Sequence, residues 1–165
     1  MPKIYFIDVT NRDGVQTAKL GLSKLEKTLI NIYLNEMGVF QSEFGFPTTR
    51  HEVNYLKANL ELADMGVLKP IRLAGWIRAI VDDVELTFQR VPGIKHLNLS
   101  ISTSDQMING KFQGRKKKDD IIKDMTEAVT AARTHGAETI GVNAEDASRT
   151  ELNFLIKFGL AAKEQ

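Results

Sequence analysis

The sequence predicts an α/β fold of five consecutive strand–helix units around a parallel sheet, and three observations carry that expectation. Short β-rich runs alternate with longer stretches of helical periodicity along the whole chain. The segments between successive strands are too long for hairpins, which implies parallel neighbours joined by right-handed helical crossovers. Glycine stands where the helical patterns stop, at Gly38, Gly66, Gly93 and Gly136.

Residues 3–9 (KIYFIDV) read as the first strand. Residues 23–37 follow as a helix whose apolar stripe is Leu25, Leu29, Ile32 and Tyr33. The second strand is 39–46 (VFQSEFGF) and the second helix 48–65, with Val53, Leu56, Leu60 and Ala63 inward. A third strand over 68–73 contains Pro70, a residue suited to a strand start or a bulge. Residues 76–89 read as a helix with Trp76 in the core, ended by Val91-Pro92-Gly93. The fourth strand is 95–102. The strongest helix is 117–135, with Ile121, Ile122, Met125, Ala128, Val129 and Ala132 on one face. Residues 138–144 form the fifth strand and 151–163 the last helix. No linker or low-complexity tract interrupts this pattern, so one domain is expected. The tail after Leu160 carries no Gly or Asn stop signal and reads as a helix cut short.

Two architectures take five such units. A doubly wound open sheet would be complete at 165 residues. A (β/α)₈ barrel would lack three units, since closed barrels need at least ~200 residues.

Composition narrows the function. With 42% hydrophobic and 26% charged residues the chain has the make-up of a soluble globular protein. A net charge of +1 gives no general attraction to nucleic acid or anionic membrane. The absence of cysteine excludes disulfides, thiolate metal sites and cysteine nucleophiles. Neither a signal peptide nor a membrane span is legible, and a cytoplasmic location is expected.

In either architecture function collects at the carboxyl ends of parallel strands. Those positions hold Asp8, Asn11, Arg12, Asp13 and Gln16 after strand one and Glu43 at the end of strand two. Arg72 and Arg78 lie near the end of strand three, and Asn98, Ser100, Thr103 and Ser104 on or after strand four. Strand five supplies Asn143, Glu145, Asp146 and Arg149. Charged groups in apolar parallel strands are costly unless paired or bound to a ligand. Carboxylates facing arginines suit a metal and an anionic substrate. Each member also has a plainer reading. Asp13 alone suits a turn, Glu43 a buried ion pair, and Glu145-Asp146 a helix start. The run Arg115–Lys118 suits a solvated loop, and His51, His96 and His135 show no ligand spacing.

The stretch Asp8-Val-Thr-Asn-Arg12-Asp13-Gly14-Val-Gln16, with Lys27 after it, resembles the N-terminal signature of the homocitrate and 2-isopropylmalate synthase family. That signature is Leu-Arg-Asp/Glu-Gly-x-Gln, ten residues, then Lys. Asn11 stands in place of the Leu. Three later segments agree in order: Glu43-Phe-Gly-Phe-Pro47, Ser102-Thr103-Ser104, and Glu145-Asp146-Ala-Ser-Arg149-Thr150. The resemblance implies a (β/α)₈ TIM barrel of which about five N-terminal units are present. It implies an acyltransferase that condenses acetyl-CoA with a 2-oxo acid and uses a divalent cation (Mg, Mn or Zn). Asp13 would be a metal ligand and Arg12 and Glu145 the catalytic residues. Gln16, Glu43, Arg78 and Thr103 would line the 2-oxo-acid pocket, and Arg149 would support Glu145. Arg72 and Arg78 lean the substrate toward a dicarboxylic acid, hence 2-oxoglutarate, with 2-isopropylmalate synthase, a citrate synthase using oxaloacetate, or a lyase as alternatives. The family's remaining metal ligands form a His-x-His pair beyond strand five, and no such pair occurs here. These residues alone are therefore expected to bind metal poorly and to be inactive. A partner chain could complete the barrel, and a homodimer is expected of the full-length enzyme. The family's strand-four histidine falls near Asn98 or His96. A split or non-catalytic subunit and an open-sheet binding protein are the rival readings.

Overall fold

The five strands stand side by side in the order in which the chain makes them. A computed structural model describes residues 3–165. It contains β1 (Ile7–Asp8), β2 (Gln41–Gly45), β3 (Arg72–Arg78), β4 (His96–Ser102) and β5 (Thr139–Glu145), all parallel, in the order β1-β2-β3-β4-β5. That order separates the two architectures. A doubly wound sheet reverses direction at a switch point, whereas a barrel adds each strand on the same side of the last. The chain is the five-unit arc of an incomplete (β/α)₈ barrel.

Six helices complete it: α1 (Lys24–Glu36), α2 (Val53–Asp64), α3 (Val81–Arg90), α4 (Asp105–Lys111), α5 (Lys118–Thr134) and α6 (Leu152–Lys163). Helix α1 opens with a reciprocal capping box between Ser23 and Glu26. Gly136 follows α5 at φ 88°, a left-handed conformation that a β-carbon would strain.

Alternation along the strands sorts the side chains onto two faces. On β4, Leu97, Leu99 and Ile101 enter the core with Leu56, Val84, Ile121, Met125, Phe154 and Phe158. The alternate residues His96, Asn98, Ser100 and Ser102 point to the opposite, inner face, which is polar. Truncating a fully buried side chain such as Leu99 to Ala would cost about 2–5 kcal/mol.

Helix α1 departs from the expected orientation. Of the expected stripe Ile32 packs against the core, but Leu25, Leu29 and Tyr33 are exposed, while Lys27 and Asn31 are buried. The cause is a polar layer beneath the helix. Asn31 accepts from Asn11 Nδ2 at 2.9 Å and from Ser42 Oγ at 2.9 Å, and donates to Tyr55 Oη and to Asn59 Oδ1. Lys27 Nζ reaches Glu52 at 2.5 Å. The helix therefore turns its amide face toward the sheet.

The third unit also departs from expectation. The strand is Arg72–Arg78, not 68–73, and Trp76 lies in it rather than in a helix. Leu73, Ala74 and Ile77 are buried, and Gly75 lets Pro47 and Ile94 approach where a β-carbon would sit 2.5 and 2.8 Å from them. Pro70 precedes the strand. The first strand is short, and Ile4, Tyr5, Phe6 and Ile7 on or before it are exposed, as are Leu152, Ile156 and Leu160 on α6. Helix α4 had no counterpart in the sequence reading. Among the described residues no helix is long and apolar enough to cross a membrane.

Candidate active site

Two polar networks occupy the carboxyl ends of the strands. The first joins the turn after β1 to the inner face of the sheet. Backbone N–H groups of Arg12, Asp13 and Gly14 all donate to Val9 O, winding a tight turn that projects Arg12 over β2. Arg12 Nε donates to Glu43 Oε2 at 3.1 Å, and its Nη1 to Asp13 Oδ1 at 3.0 Å. The guanidinium lies 4.4 Å from the centre of the Trp76 ring, and Trp76 packs edge-on against Phe46. Glu43 is buried, and its Oε1 accepts from Asn98 Nδ2 at 2.7 Å. Asn98 Oδ1 accepts in turn from Gln41 Nε2 at 3.2 Å. The arginine is thus held in one plane by a carboxylate, an aromatic face and a second carboxylate.

The second network joins β4 to β5. Ser102 Oγ donates to Glu145 Oε2 in a short contact, and Lys111 Nζ reaches the same oxygen at 2.7 Å. Ser104 caps α4 through Met107 N–H and donates to Asp146. Asp146 adopts a left-handed conformation at φ 64° and pairs with Arg149 at 2.8 Å. Thr103 Oγ1 donates to the Glu145 carbonyl at 3.2 Å and contacts Thr150 Oγ1 at 2.7 Å. Burial alone would raise the Glu145 pKa, but hydrogen bonds from Lys111 and Ser102 and the Lys111 charge outweigh it. The carboxyl therefore lies below its ordinary range. Asp146 is lowered by Arg149 and Ser104.

Several expected residues change place. Arg149 pairs with Asp146, and the cation on Glu145 is Lys111. Arg72 begins β3, so it lies at the far end of the sheet, stacked on Phe40 at 4.5 Å. It cannot serve a dicarboxylate bound at the carboxyl ends. His96 likewise begins β4 and faces Thr139 at 2.8 Å. Arg78 does end β3, but Asp83 of α3 holds it through two bonds, at 2.8 and 2.6 Å. Gln16 lies exposed at the end of the 3-10 turn Gly14–Gln16. The buried Asn11 donates to Lys27 O at 2.8 Å as well as to Asn31, which ties the arginine turn to α1.

The sequence reading missed Lys111 and the site role of Trp76. Ser104-Asp105 followed by Met107 and Ile108 is a short capped helix, and seven residues are too few for a periodic signal. Trp76 could have been recognised only by assigning β3 correctly.

A divalent cation needs several oxygen or nitrogen ligands. Asp13 offers one carboxylate, 60% exposed and already paired with Arg12. Among the described residues no group of three or more His, Asp or Glu could hold a metal. These residues do not build a metal centre by themselves.

A sequence profile of the HMGL-like family matches residues 3–165. A citrate (Re)-synthase from Dehalococcoides mccartyi is 76% identical over 99% of this chain and 40% of its own length. A 2-isopropylmalate synthase from Caldanaerobacter subterraneus is 39% identical over 98% of this chain and 40% of its own. Homocitrate synthase 1 from Nostoc sp. is 28% identical over 99% of this chain and 41% of its own. The chain thus spans about two fifths of the length of these relatives. An HMG-CoA lyase from Acenitobacter baumannii, solved with coenzyme A and 3-methylmalate, superposes with a TM-score of 0.66. It covers 97% of this chain and 52% of its own at 19% identity, a likeness of fold. With the profile match running through both polar networks, the chain belongs to the HMGL-like family.

Proposed function

We propose that this chain is the N-terminal part of the catalytic barrel of an enzyme that condenses acetyl-CoA with a 2-oxo acid. The observation that carries the reading is Arg12, fixed between Glu43, Asp13 and Trp76 above the inner face of the sheet. In the reaction the methyl group of acetyl-CoA loses a proton and its carbon adds to the ketone carbon of the 2-oxo acid. Hydrolysis of the thioester then releases free CoA. Negative charge develops on the ketone oxygen as the carbon–carbon bond forms, and a pre-oriented guanidinium stabilises it without reorganising. Arg12 is suited to that role because its Nε is anchored to the buried Glu43.

Glu145, across the sheet, is the candidate for acid–base work or for orienting the reacting groups. Gln16, Arg78 and Thr103 are proposed around the 2-oxo acid. Glu43 is proposed to act through Arg12, and Arg149 through Asp146 rather than on Glu145 directly. A divalent cation would polarise the ketone. Asp13 is proposed as the one protein ligand that this chain contributes to it, the others coming from outside these residues. Completion of the barrel by further chain and a homodimeric assembly belong to the same proposal.

Among 2-oxo acids, both 2-oxoglutarate and oxaloacetate are dicarboxylic. The likeness to a citrate (Re)-synthase at 76% identity favours oxaloacetate, because citrate is the product of its condensation with an acetyl group. The test is free-thiol release from acetyl-CoA with Mg²⁺ or Mn²⁺, offering oxaloacetate, 2-oxoglutarate and 2-oxoisovalerate in turn. It is run on this chain and on a chimera in which these residues replace the matching part of the D. mccartyi relative. Release by the chimera with oxaloacetate is expected. Release with none of the three acids would defeat the proposal, and release by the chain alone would defeat the incomplete-site argument.

A further inference from the structure

Glu145 is held from one side only. Its Oε2 takes both Ser102 Oγ and Lys111 Nζ, while Oε1 has no hydrogen-bond partner among the described residues. The side on which that free oxygen lies follows from β5. A β-carbon at Gly141 would meet the Asn98 side chain, so Gly141 faces the inner side of the sheet. Asn143 and Glu145, two and four residues on, share that face. Lys111 reaches Glu145 from the last residue of α4, a short helix set in place by Ser104, which caps it and bonds to Asp146 at once.

We propose that Lys111 is a positioning residue for Glu145: with Ser102 it clamps Oε2, leaving Oε1 as the acceptor that meets a hydrogen-bond donor on the bound substrate or on the attacking water. The inference deepens the condensing-enzyme reading and rests on it for the identity of that donor. The groups that set the charge of Glu145 are Lys111 of α4, Ser102 of β4, and Asp146 beside it, itself neutralised by Arg149. Asp146 opposes the ionised form, so Lys111 is the only cation among them that favours it directly. An ammonium in hydrogen-bond contact keeps a carboxylate charged well below neutral pH. Glu145 would then enter the reaction as an acceptor and not as a proton donor. Arginine at position 111 would preserve this function, whereas methionine would keep the bulk and remove the charge.

The experiment is a ¹³C NMR titration of the Glu145 side-chain carboxyl in the 165-residue chain, in the wild type, Lys111→Met and Lys111→Arg. The wild-type midpoint is expected below the ordinary glutamate value. Lys111→Met is expected to raise it by at least about half a pH unit, with Lys111→Arg close to wild type. A wild-type midpoint at or above the ordinary value overturns the proposal without recourse to any variant. An unshifted midpoint in Lys111→Met overturns it as well. Failure of the condensing-enzyme reading is told apart by Glu145→Gln in the thiol-release assay of the chimera. Undiminished release there removes Glu145 from the chemistry, while the titration still reports whether Lys111 controls the carboxylate.

Discussion

In the Arg12–Glu43 ion pair the carboxylate is the more deeply buried partner, its side chain 6% exposed against 18% for the arginine. The pair therefore depends on the glutamate being satisfied on both oxygens, which Arg12 and Asn98 accomplish from opposite sides. Glu43→Gln presents one acceptor and one donor to two donors, leaving either Arg12 or Asn98 facing an N–H group. Removing one member of a buried pair costs about 3–5 kcal/mol. Because Arg12 keeps Asp13 and Trp76, the loss is expected near the lower bound. Urea unfolding measures it, and a change under about 1 kcal/mol would show that the pair is not a buried electrostatic unit. Arg12→Lys is expected to abolish thiol release in the chimera, since an ammonium cannot lie flat on Trp76 while donating to Glu43 and Asp13 from one plane.

Gly141 is required by close approach. A β-carbon there would lie 2.4 Å from Asn98 Oδ1, the atom that accepts from Gln41. Gly141→Ala must push the Asn98 amide aside, and Asn98 in turn holds Glu43. Overpacking of this kind costs about 1–3 kcal/mol. The same variant is expected to weaken the Arg12 site although residue 141 touches neither Arg12 nor Glu43. Amide-proton shifts of Gln41 and Asn98 check it, and unchanged shifts at both would sink the steric argument.

What the sequence disclosed and what it concealed follow different physics. The order of strand–helix units was legible because it rests on period and punctuation. So was the placement of Arg12, Asp13, Glu43 and Glu145 at or just after strand ends, because a charged residue closing an apolar run marks where a strand stops. The choice between a barrel and an open sheet was not legible from periodicity, since both use the same local pattern. Here the motif order, and then the strand order, decided it. The α1 face is misread in part because its fully buried side chains, Lys27 and Asn31, are polar; of the apolar stripe Leu25, Leu29, Ile32 and Tyr33, only Ile32 packs against the core. Strand β3 was misplaced because Gly75 and Trp76 stand in its middle, and neither continues a simple alternating pattern. Lys111 was hidden by the shortness of α4, and its pairing with Glu145 spans 34 residues of sequence.

Asn31 is the hub of the polar layer under α1, with four hydrogen bonds to Asn11, Ser42, Tyr55 and Asn59. Asn31→Leu fills much the same volume but leaves buried donors and acceptors on all four neighbours without that partner. Each buried unsatisfied group costs about 1–3 kcal/mol, and Asn59 and Tyr55 can partly re-pair with each other. A net loss of about 3 kcal/mol or more is expected. Asn11→Leu, which restores the residue usual in related signatures, is expected to cost much less, because Asn11 Oδ1 is already buried without a partner. Chemical denaturation of the two variants side by side tests the ranking. Equal losses would mean that the layer has no hub.

His96 gives the fold a pH dependence at the end of the sheet opposite the candidate site. Burial lowers its pKa, and the nearby Arg72 charge lowers it further, so the folded ring resists protonation. In the unfolded chain the ring titrates near its ordinary value of 6.5. Below that value the unfolded state binds more protons than the folded one. Stability is therefore full above 6.5 and lost as pH falls from there through the lower folded pKa. His96→Gln keeps a hydrogen-bonding group beside Thr139 and removes the titration. Between about pH 7.5 and pH 5 the wild type is expected to lose more stability than His96→Gln, as urea midpoints at the two pH values would report. Parallel losses in the two proteins would place the acid sensitivity elsewhere, and a larger loss in His96→Gln would mean that the folded ring takes up a proton more readily than the unfolded one.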